Sequence, residues 1–183
     1  RSVGGTDDES TWVYADFRTD CGAITDLTFS DDFDSYGTGT TVYPECWGKI
    51  NTYTSGDRPY IICTNYSAPG SMYFYTSTSG TYNIAITPEF DASIPVNTLQ
   101  DSFMYRATNS TDMLIVGVMT DPTSAGTFVP VDTVVPDATA ANWVERIINF
   151  DQYTGDGQYI AFKNAYTTAT AYGYIDNLVI DLI

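Results

Sequence analysis

The feature that most constrains the fold is a succession of short runs of strand-forming residues separated by turn-forming residues. The runs are rich in Tyr, Phe, Val, Ile and Thr, which favour a pleated, half-buried surface, and the segments between them contain Gly, Pro, Asn, Asp and Ser. About ten to twelve strands can be placed in this way, and none of the intervening segments needs to be a long helix. The predicted strands are Leu27–Phe33, Trp47–Tyr53, Tyr60–Cys63, Ser71–Thr76, Tyr82–Thr87, Leu99–Thr108, Met113–Thr120, Thr127–Val135, Trp143–Phe150, Gln158–Asn164 and Tyr172–Ile183.

Many short strands at regular spacing are typical of a β-sandwich or a barrel. The proline residues that punctuate the strand edges favour the sandwich. We therefore predict an all-β fold, a two-sheet antiparallel β-sandwich with jelly-roll topology. Within it, the continuously apolar run Leu114–Met119 is expected to be buried on both faces. The turn sequence Asn109–Asp112 predicts a hairpin between its two flanking strands, and a short helical turn is expected at Asp137–Asn142 or elsewhere.

The first residues differ from the rest of the chain. Residues 1–11 are polar and turn-rich, Trp12–Thr19 alternates like one strand, and Asp20–Gly22 breaks the pattern. We therefore interpret residues 1–22 as a linker or the terminal strand of a preceding module and residues 23–183 as the sandwich domain. The chain begins with Arg rather than Met, so we expect it to be a piece of a longer protein.

Charge excludes several classes of partner. The chain carries 23 acidic and 7 basic residues, a formal net charge of −16. Nucleic-acid binding depends on Lys and Arg that neutralise phosphates, so we expect none.

No run approaches the roughly 18 apolar residues of a membrane span, so we expect no membrane insertion. The chain also has no histidine, which excludes Ser-His-Asp and Cys-His catalysis and most catalytic zinc sites.

Three cysteines leave the redox state open. Cys46 and Cys63 are the nearest pair in sequence and could form one bridge, or all three, including Cys21, could be reduced and buried as small hydrophobic residues. None of them forms a CxxC pair, so a zinc site is not indicated.

Two acidic motifs stand near the two ends of the domain. The first is Asp31–Gly37 and the second is Tyr174–Asp181. Aspartate is disfavoured inside strands, and a buried unpaired carboxylate is costly, so these side chains need partners. In a chain with so few bases, a metal ion is one candidate partner.

These motifs also carry a family resemblance. Asp32–Tyr36 followed by Pro44–Trp47 resembles the opening "(E/D)-D-F-(E/D) … P-x-(C/G)-W" of MAM-like, cleaved-adhesin and choice-of-anchor jelly-roll domains, which occur on surface proteins of gut and oral Gram-negative bacteria. Later segments resemble further motifs of that group in the same order over about residues 27–183, and Trp12–Cys21 resembles the last strand of a fibronectin type III module. The later segments are Gly70–Phe74, Ala85–Asp91, Trp143–Phe150, Tyr159–Phe162 and Ile175–Leu178.

The resemblance implies an extracellular or cell-surface jelly roll that serves in adhesion or in binding glycans or proteins, beside neighbouring domains of the same polypeptide. It also implies a structural calcium ion where the first and last strands meet, with Asp34 and Asp176 as the matching ligands. Asn177 stands where the group often has a second Asp. The chain lacks the "D-x-D-G-D-G" loop that many members carry after the first strand.

Calcium prefers six to eight oxygen ligands, including carbonyls and waters. We name Asp34, Asp176, Asp32 and Asn177 as candidate metal ligands, with backbone oxygens near Asp32 or Ser71. The alternative is that Asp34 caps a turn and Asp176 binds a neighbouring backbone N–H group.

Aromatic side chains offer a binding surface, because the apolar faces of sugars stack on tyrosine and tryptophan. Host or dietary glycans or glycoproteins are the corresponding partners. The alternative is that tyrosine is simply the half-buried strand residue of this chain. The candidate ligand-binding residues are Tyr53, Tyr60, Tyr66 and Tyr172, with Tyr166 and Tyr174 also near predicted loops.

Three functions remain in contention. The leading one is a non-catalytic adhesion or carbohydrate-binding module with a structural calcium ion. The second is a structural spacer between neighbouring domains. The third is a glycoside hydrolase, for which Glu45 beside Trp47 is the best single acid, although nothing places the second carboxyl group that hydrolysis requires.

Overall fold

The computed structural model describes residues 21–137, 139–165 and 170–183, and these form β-strands and three single-turn 3-10 helices. The helical turns are Asp34–Tyr36, Val96–Thr98 and Ala125–Thr127, whereas residues 137 and 139–142 form no helix. No helix within the described part of the chain is long and apolar enough to cross a membrane. The strands are β1 (Phe29–Asp31), β2 (Gly48–Asn51), β3 (Tyr60–Ile62), β4 (Ser71–Thr76), β5 (Tyr82–Ile86), β6 (Leu99–Arg106), β7 (Leu114–Met119), β8 (Val129–Val134), β9 (Val144–Asn149), β10 (Tyr159–Ala165) and β11 (Ala171–Leu182).

The strands form two antiparallel sheets packed face to face, which confirms the predicted β-sandwich of jelly-roll type. One sheet has the order β3-β4-β11-β6-β9, and β1 also pairs with β11. The other has the order β2-β5-β10-β7-β8. The first and last strands meet, as the acidic motifs suggested, because Phe29 lies opposite Ile180 and Asp31 opposite Leu178.

The core follows from the two-residue period of the strands. In β6 buried and half-buried residues alternate without a break, so Leu99, Phe103 and Tyr105 face the opposite sheet. Strand β7 is buried on both faces, as its continuous apolar run predicted. A second apolar layer, with Ile84, Ile86, Met119 and Ala161, forms in the same sheet apart from the main core.

The predicted hairpin between β6 and β7 is wrong. These strands belong to different sheets, because β6 pairs with β11 and β9 whereas β7 pairs with β10 and β8. The turn between them is a corner of the sandwich. It is closed by Asp112, whose carboxylate accepts the N–H of Asn109 at 2.9 Å and whose carbonyl accepts the Tyr105 hydroxyl at 2.6 Å. Turn residues show where a chain reverses, but they do not show which sheet it enters.

One disulfide is present, and it does not join the pair nearest in sequence. Cys21 is bonded to Cys46, with 5.3 Å between the two Cα atoms, whereas Cys63 is free and exposed. The chain after Cys21 is also held by the amide of Ile24, which donates to the carbonyl of Glu89 at 2.7 Å. The division at residues 22 and 23 stays a prediction, since residues 1–20 lie outside the described residues.

Candidate functional site

The first candidate site lies where three strands meet along β11. Strand β4 pairs with β11 as far as Ile175, and β1 pairs with it from Leu178 onward, so Asp176 and Asn177 fall between the two partners. A β-bulge interrupts the β6 pairing at the same place, and Asn177 has a left-handed backbone with φ of 49°. Asparagine tolerates that conformation better than most residues, and bulges redirect side chains.

Asp176 is fully buried, and its carboxylate accepts three backbone hydrogen bonds. The donors are the N–H groups of Tyr66 at 2.7 Å, Ser67 at 3.0 Å and Asn177 at 2.8 Å. Burial raises the pKa of Asp176 to about 6; these three bonds oppose the shift, and the negative charge of Asp34 adds to it. Asp176 has no cationic partner among the described residues. The junction therefore holds a carboxylate that a cation would stabilise.

Ser67 gathers the other predicted ligands around its hydroxyl oxygen. That oxygen lies 2.6 Å from Asn177 Oδ1, 3.4 Å from Asp34 Oδ2 and 3.5 Å from Asp176 Oδ1. The second oxygen of Asp34 accepts the N–H of Gly70 at 3.0 Å. The fold thus brings Asp34, Asp176 and Asn177 together from opposite ends of the domain.

Asp32 borders the same place but is exposed, and one of its oxygens accepts the N–H of Asp34 at 3.1 Å. We call this site, formed by Asp32, Asp34, Ser67, Asp176 and Asn177, the acidic junction. It opens into a cleft of about 470 Å³ between β1 and the loop after β3.

The oxygen atoms of the acidic junction are of the type that calcium prefers as ligands. Two carboxylates, one amide oxygen and one hydroxyl converge, and all are hard oxygen ligands. The described residues nowhere group three or more His, Cys, Asp or Glu side chains as a metal cluster. A calcium ion here would therefore need backbone carbonyls or waters to reach six to eight ligands.

Asp31, at the start of the first acidic motif, is a buried neighbour of the acidic junction that was not predicted as a site residue. It is buried, and it accepts the Phe33 N–H at 2.9 Å, the Tyr36 hydroxyl at 2.9 Å and the Trp47 indole N–H at 3.0 Å. Burial raises the pKa of Asp31 above its usual range, and these bonds oppose the shift. Asp31 therefore links the start of the domain to the core. A run of acids around Phe33 does not by itself show which one turns inward.

The second candidate site is the outer face of β3, β4 and β11. In β4, Met72 and Phe74 face the core, so Tyr73 and Tyr75 face outward. The same alternation in β11 turns Tyr172 and Tyr174 to that side, so that rings on neighbouring strands touch. We call this surface the tyrosine face; it comprises Tyr53, Tyr60, Tyr66, Tyr73, Tyr75, Tyr172, Tyr174 and Trp143.

The cross-strand register places three tyrosines and one arginine in a single row across the sheet. Tyr60, Tyr73, Tyr174 and Arg106 lie directly opposite one another on β3, β4, β11 and β6. The ring centroids of Tyr60 and Tyr73 are 5.3 Å apart, and those of Tyr73 and Tyr174 are 5.0 Å apart. Contacts of this kind favour the sheet and keep the rings rigid.

The predicted binding tyrosines differ in how much ring surface they offer. Tyr66 is 55% exposed and Tyr172 is half-buried, whereas Tyr53 and Tyr60 are 8% and 7% exposed. Tyr60 is covered by the guanidinium of Arg58, which lies 4.5 Å from its ring centroid. Tyr53 and Tyr60 therefore pack against the other rings of the tyrosine face but offer little ring surface to a ligand. Tyr166 lies outside the described residues.

Sequence reasoning missed Tyr73, Tyr75, Trp143 and the two arginines of this face. The alternation of Tyr73 and Tyr75 with apolar residues was the available signal for the first two. The guanidinium of Arg106 lies 5.5 Å from the ring centroid of Tyr174, and its side chain makes no hydrogen bond or ion pair with any described residue. Its Nε is buried, so the terminal N–H groups of its guanidinium are the donors available at the edge of the tyrosine face.

The acid considered for hydrolysis is not in a catalytic setting. Glu45 is exposed, whereas Trp47 is buried and donates its indole N–H to Asp31. Trp47 is therefore a core residue and does not form a sugar platform beside Glu45.

Comparison with known proteins supports the assignment of the fold. No family model and no curated protein matches the chain. Among solved structures, the K2 cleaved adhesin domain of Lys-gingipain, a protein of Porphyromonas gingivalis, superposes with a TM-score of 0.62 at 17% identity, over 85% of this chain and 99% of that one. The chain has the fold of the cleaved adhesin domains.

Two further structures share the architecture. The family 11 carbohydrate-binding module of the cellulase Lic26A-Cel5E from Clostridium thermocellum gives a TM-score of 0.51 at 13% identity, over 86% of this chain and 97% of that one. The Endo-D glycoside hydrolase domain from Streptococcus pneumoniae R6 gives 0.53 at 13% identity, over 84% of this chain but 27% of that one. At these identities the likeness concerns the fold.

Proposed function

We propose that this chain is a non-catalytic carbohydrate-binding module through which a bacterial surface or secreted protein adheres to host or dietary glycans or glycoproteins. The observation that carries the proposal is the tyrosine face. Its rings are held rigid by cross-strand contacts, and two arginines lie among them. Rigid aromatic rings with a few fixed polar groups are what glycan binding requires, because sugars have apolar faces bordered by hydroxyls. The cleaved-adhesin and carbohydrate-binding structures that share the fold support this proposal.

The second part of the proposal is a structural calcium ion at the acidic junction. Asp34, Asp176 and Asn177 would hold it, with Asp32 at the rim. The ion would supply the positive charge that the buried carboxylate of Asp176 lacks within the described structure. This would tie β1 to β11 and to the loop before β4, and so stabilise the domain.

The test of glycan binding compares tyrosines on the two sheets. Tyr174→Ala removes a ring from the centre of the tyrosine face. Tyr82→Ala is the matched control, since Tyr82 is a half-buried strand tyrosine under a cation, Lys163 at 4.5 Å, but on the other sheet. On an array of neutral and acidic oligosaccharides and mucin glycoproteins, we expect Tyr174→Ala to lose at least fivefold in affinity, about 1 kcal/mol, and Tyr82→Ala to bind like the wild type.

The same array separates the alternatives. A wild-type chain that binds no glycan or glycoprotein would refute the proposal and favour a spacer domain. Turnover of model glycosides that is lost in Glu45→Gln would instead identify a hydrolase.

A further inference from the structure

One exposed ring of the tyrosine face comes from a loop rather than from a strand. Tyr66 lies in residues 63–70, which we call the Tyr66 loop, between β3 and β4. Its ring centroid is 6.3 Å from that of Trp143 at an interplanar angle of 62°, and Trp143 is 6.3 Å from Tyr174 at 67°. Trp143 thus stands at a steep angle to both Tyr66 and Tyr174, so these three rings from distant parts of the chain do not form a flat platform.

The Tyr66 loop is held above β11 by the acidic junction. Asp176 lies two residues beyond Tyr174 in the alternation that points outward, and the loop covers its carboxylate. One oxygen of Asp176 accepts the N–H groups of both Tyr66 and Ser67, and the Ser67 hydroxyl donates to Asn177 at 2.6 Å. Hydrogen bonds to a charged acceptor are among the stronger ones in proteins. The position of Tyr66 therefore depends on a residue 110 positions away.

The loop also has its own internal hydrogen bonds. The side-chain amide of Asn65 donates to the carbonyls of Cys63 at 3.0 Å and Pro69 at 2.9 Å, and the Ser71 hydroxyl donates to the carbonyl of Thr64. The loop therefore keeps its shape by itself. Its placement over the sheet at Tyr66 and Ser67 comes from Asp176 and Asn177, while Asp34 holds its end at Gly70. A change at Asp176 would shift the loop without unfolding it.

We infer that Tyr66, Trp143 and Tyr174 form an aromatic subsite for one pyranose ring, and that Asp176 is the positioning residue for its Tyr66 wall. The inference rests on the proposed function and names the part of the tyrosine face that selects a ligand. Tyr66 is the most exposed large ring of the face, and Trp143 is half-buried beside it. Arg106, over the ring of Tyr174, borders the subsite with donors for sugar hydroxyl or carboxylate oxygens.

The structural half of the inference is tested without any sugar. In the wild type, NMR should show nuclear Overhauser contacts between the rings of Tyr66 and Trp143, assigned with Tyr66→Phe and Trp143→Phe. In Asp176→Asn the acceptor of the Tyr66 and Ser67 N–H groups loses its charge and one of its two oxygens becomes a donor, so these contacts should weaken. In Asp181→Asn, which changes a half-buried acid of the same strand, they should persist. Contacts as strong in Asp176→Asn as in the wild type would overturn the positioning role.

The binding half uses a double-mutant cycle with two probes, neutral cellotetraose and acidic sialyllactose. We expect Tyr66→Ala and Asp176→Asn each to weaken at least one probe fivefold or more, and the double variant to bind no worse than Tyr66→Ala. That outcome would show that Asp176 acts through Tyr66. Losses that multiply in the double variant would overturn it, since they would indicate that Asp176 acts on the whole domain.

Two further outcomes separate this inference from the proposed function. Wild-type binding that Tyr66→Ala leaves unchanged would overturn the subsite and leave the rest of the tyrosine face as the glycan site. A wild-type chain that binds neither probe would also overturn the subsite, whereas only a wholly negative array would refute the proposed function. If Asp176→Asn does not fold, Ser67→Ala removes the hydroxyl that bonds Asn177 and serves as the second positioning variant.

Discussion

Asp101 should lower the stability of this domain at neutral pH, and its removal should raise it. The residue points into the core from β6, between Ile148 on β9 and Ile180 on β11, and it is fully buried. Neither carboxylate oxygen has a hydrogen-bond partner among the described residues. Burial therefore raises the pKa of Asp101 well above its usual range. The N–H of Ile148 lies close enough to oppose the shift in part, although it does not reach hydrogen-bond geometry with either oxygen, and the charge of Asp132 adds to the shift.

The size of the effect follows from these unpaired oxygens. A buried polar group without a partner costs about 1–3 kcal/mol, whereas an apolar side chain of similar shape costs little there. We therefore expect Asp101→Val to gain about 1–3 kcal/mol in the free energy of unfolding at pH 7. For a chain of this length each kcal/mol corresponds to about 2–4 °C in Tm. Urea unfolding and thermal melting would both measure the gain.

The stability difference between Asp101→Val and the wild type should also depend on pH. Because the folded-state pKa of Asp101 lies above the unfolded value of about 4, the folded state binds the extra proton. Its contribution is most favourable below pH 4 and is lost as the pH rises towards the folded pKa. The advantage of Asp101→Val should therefore grow between pH 4 and pH 7.

The control variant, Asp181→Asn, should change the stability at neutral pH in the opposite direction. The pKa of Asp181 is lowered by the Thr28 hydroxyl and by its neighbouring backbone N–H, so Asp181→Asn should cost stability at neutral pH and little in acid. An Asp101→Val variant that is less stable than the wild type at pH 7, with a difference independent of pH, would refute the reasoning.

Three further predictions concern the acidic junction, the first strand and the disulfide. Calcium should raise Tm relative to EDTA more at pH 7.5 than at pH 5, because the pKa of about 6 leaves Asp176 protonated in acid; an equal shift in Asp34→Ala would contradict the site. Asp31→Asn should lose about 2–4 kcal/mol by chemical unfolding, since an amide cannot accept all three hydrogen bonds; unchanged stability would count against this role. Reducing the Cys21–Cys46 bridge, which spans 25 residues, should cost about 3 kcal/mol, and Cys63→Ser should behave like the wild type.

Much of the fold was predictable because strands show a local alternation of apolar and polar residues along the chain. Ser71–Thr76 is a strand over the predicted residues, and the other predicted strands are found with shifted ends. The continuous apolar run at β7 correctly indicated burial on both faces. Strand ends were less predictable, since the polar residues that close a strand can also extend it.

The sequence indicated that residues of the acidic junction lie together, but not how they are arranged; their role as metal ligands stays a prediction. Asp34, Asp176 and Asn177 do meet, which the paired motifs and the family resemblance suggested. The role of the Tyr66 loop could not be predicted, because a tyrosine in a turn-rich segment gives no sign of the carboxylate that holds it. The same limit applies to Trp143, which reaches the tyrosine face from the segment before β9.

By itself, the sequence determined the all-β class, the positions of the strands and the side of each strand that faces the core. These properties depend on neighbours one or two positions apart, where side chains alternate between the two faces of a strand. Only the tertiary structure decided which strands pair, that β6 and β7 enter different sheets, and that Cys21 rather than Cys63 meets Cys46. It also decided that Asp176 holds the Tyr66 loop, a contact across 110 residues. Such contacts depend on how all the strands fill one core together, so no single segment of the chain specifies them.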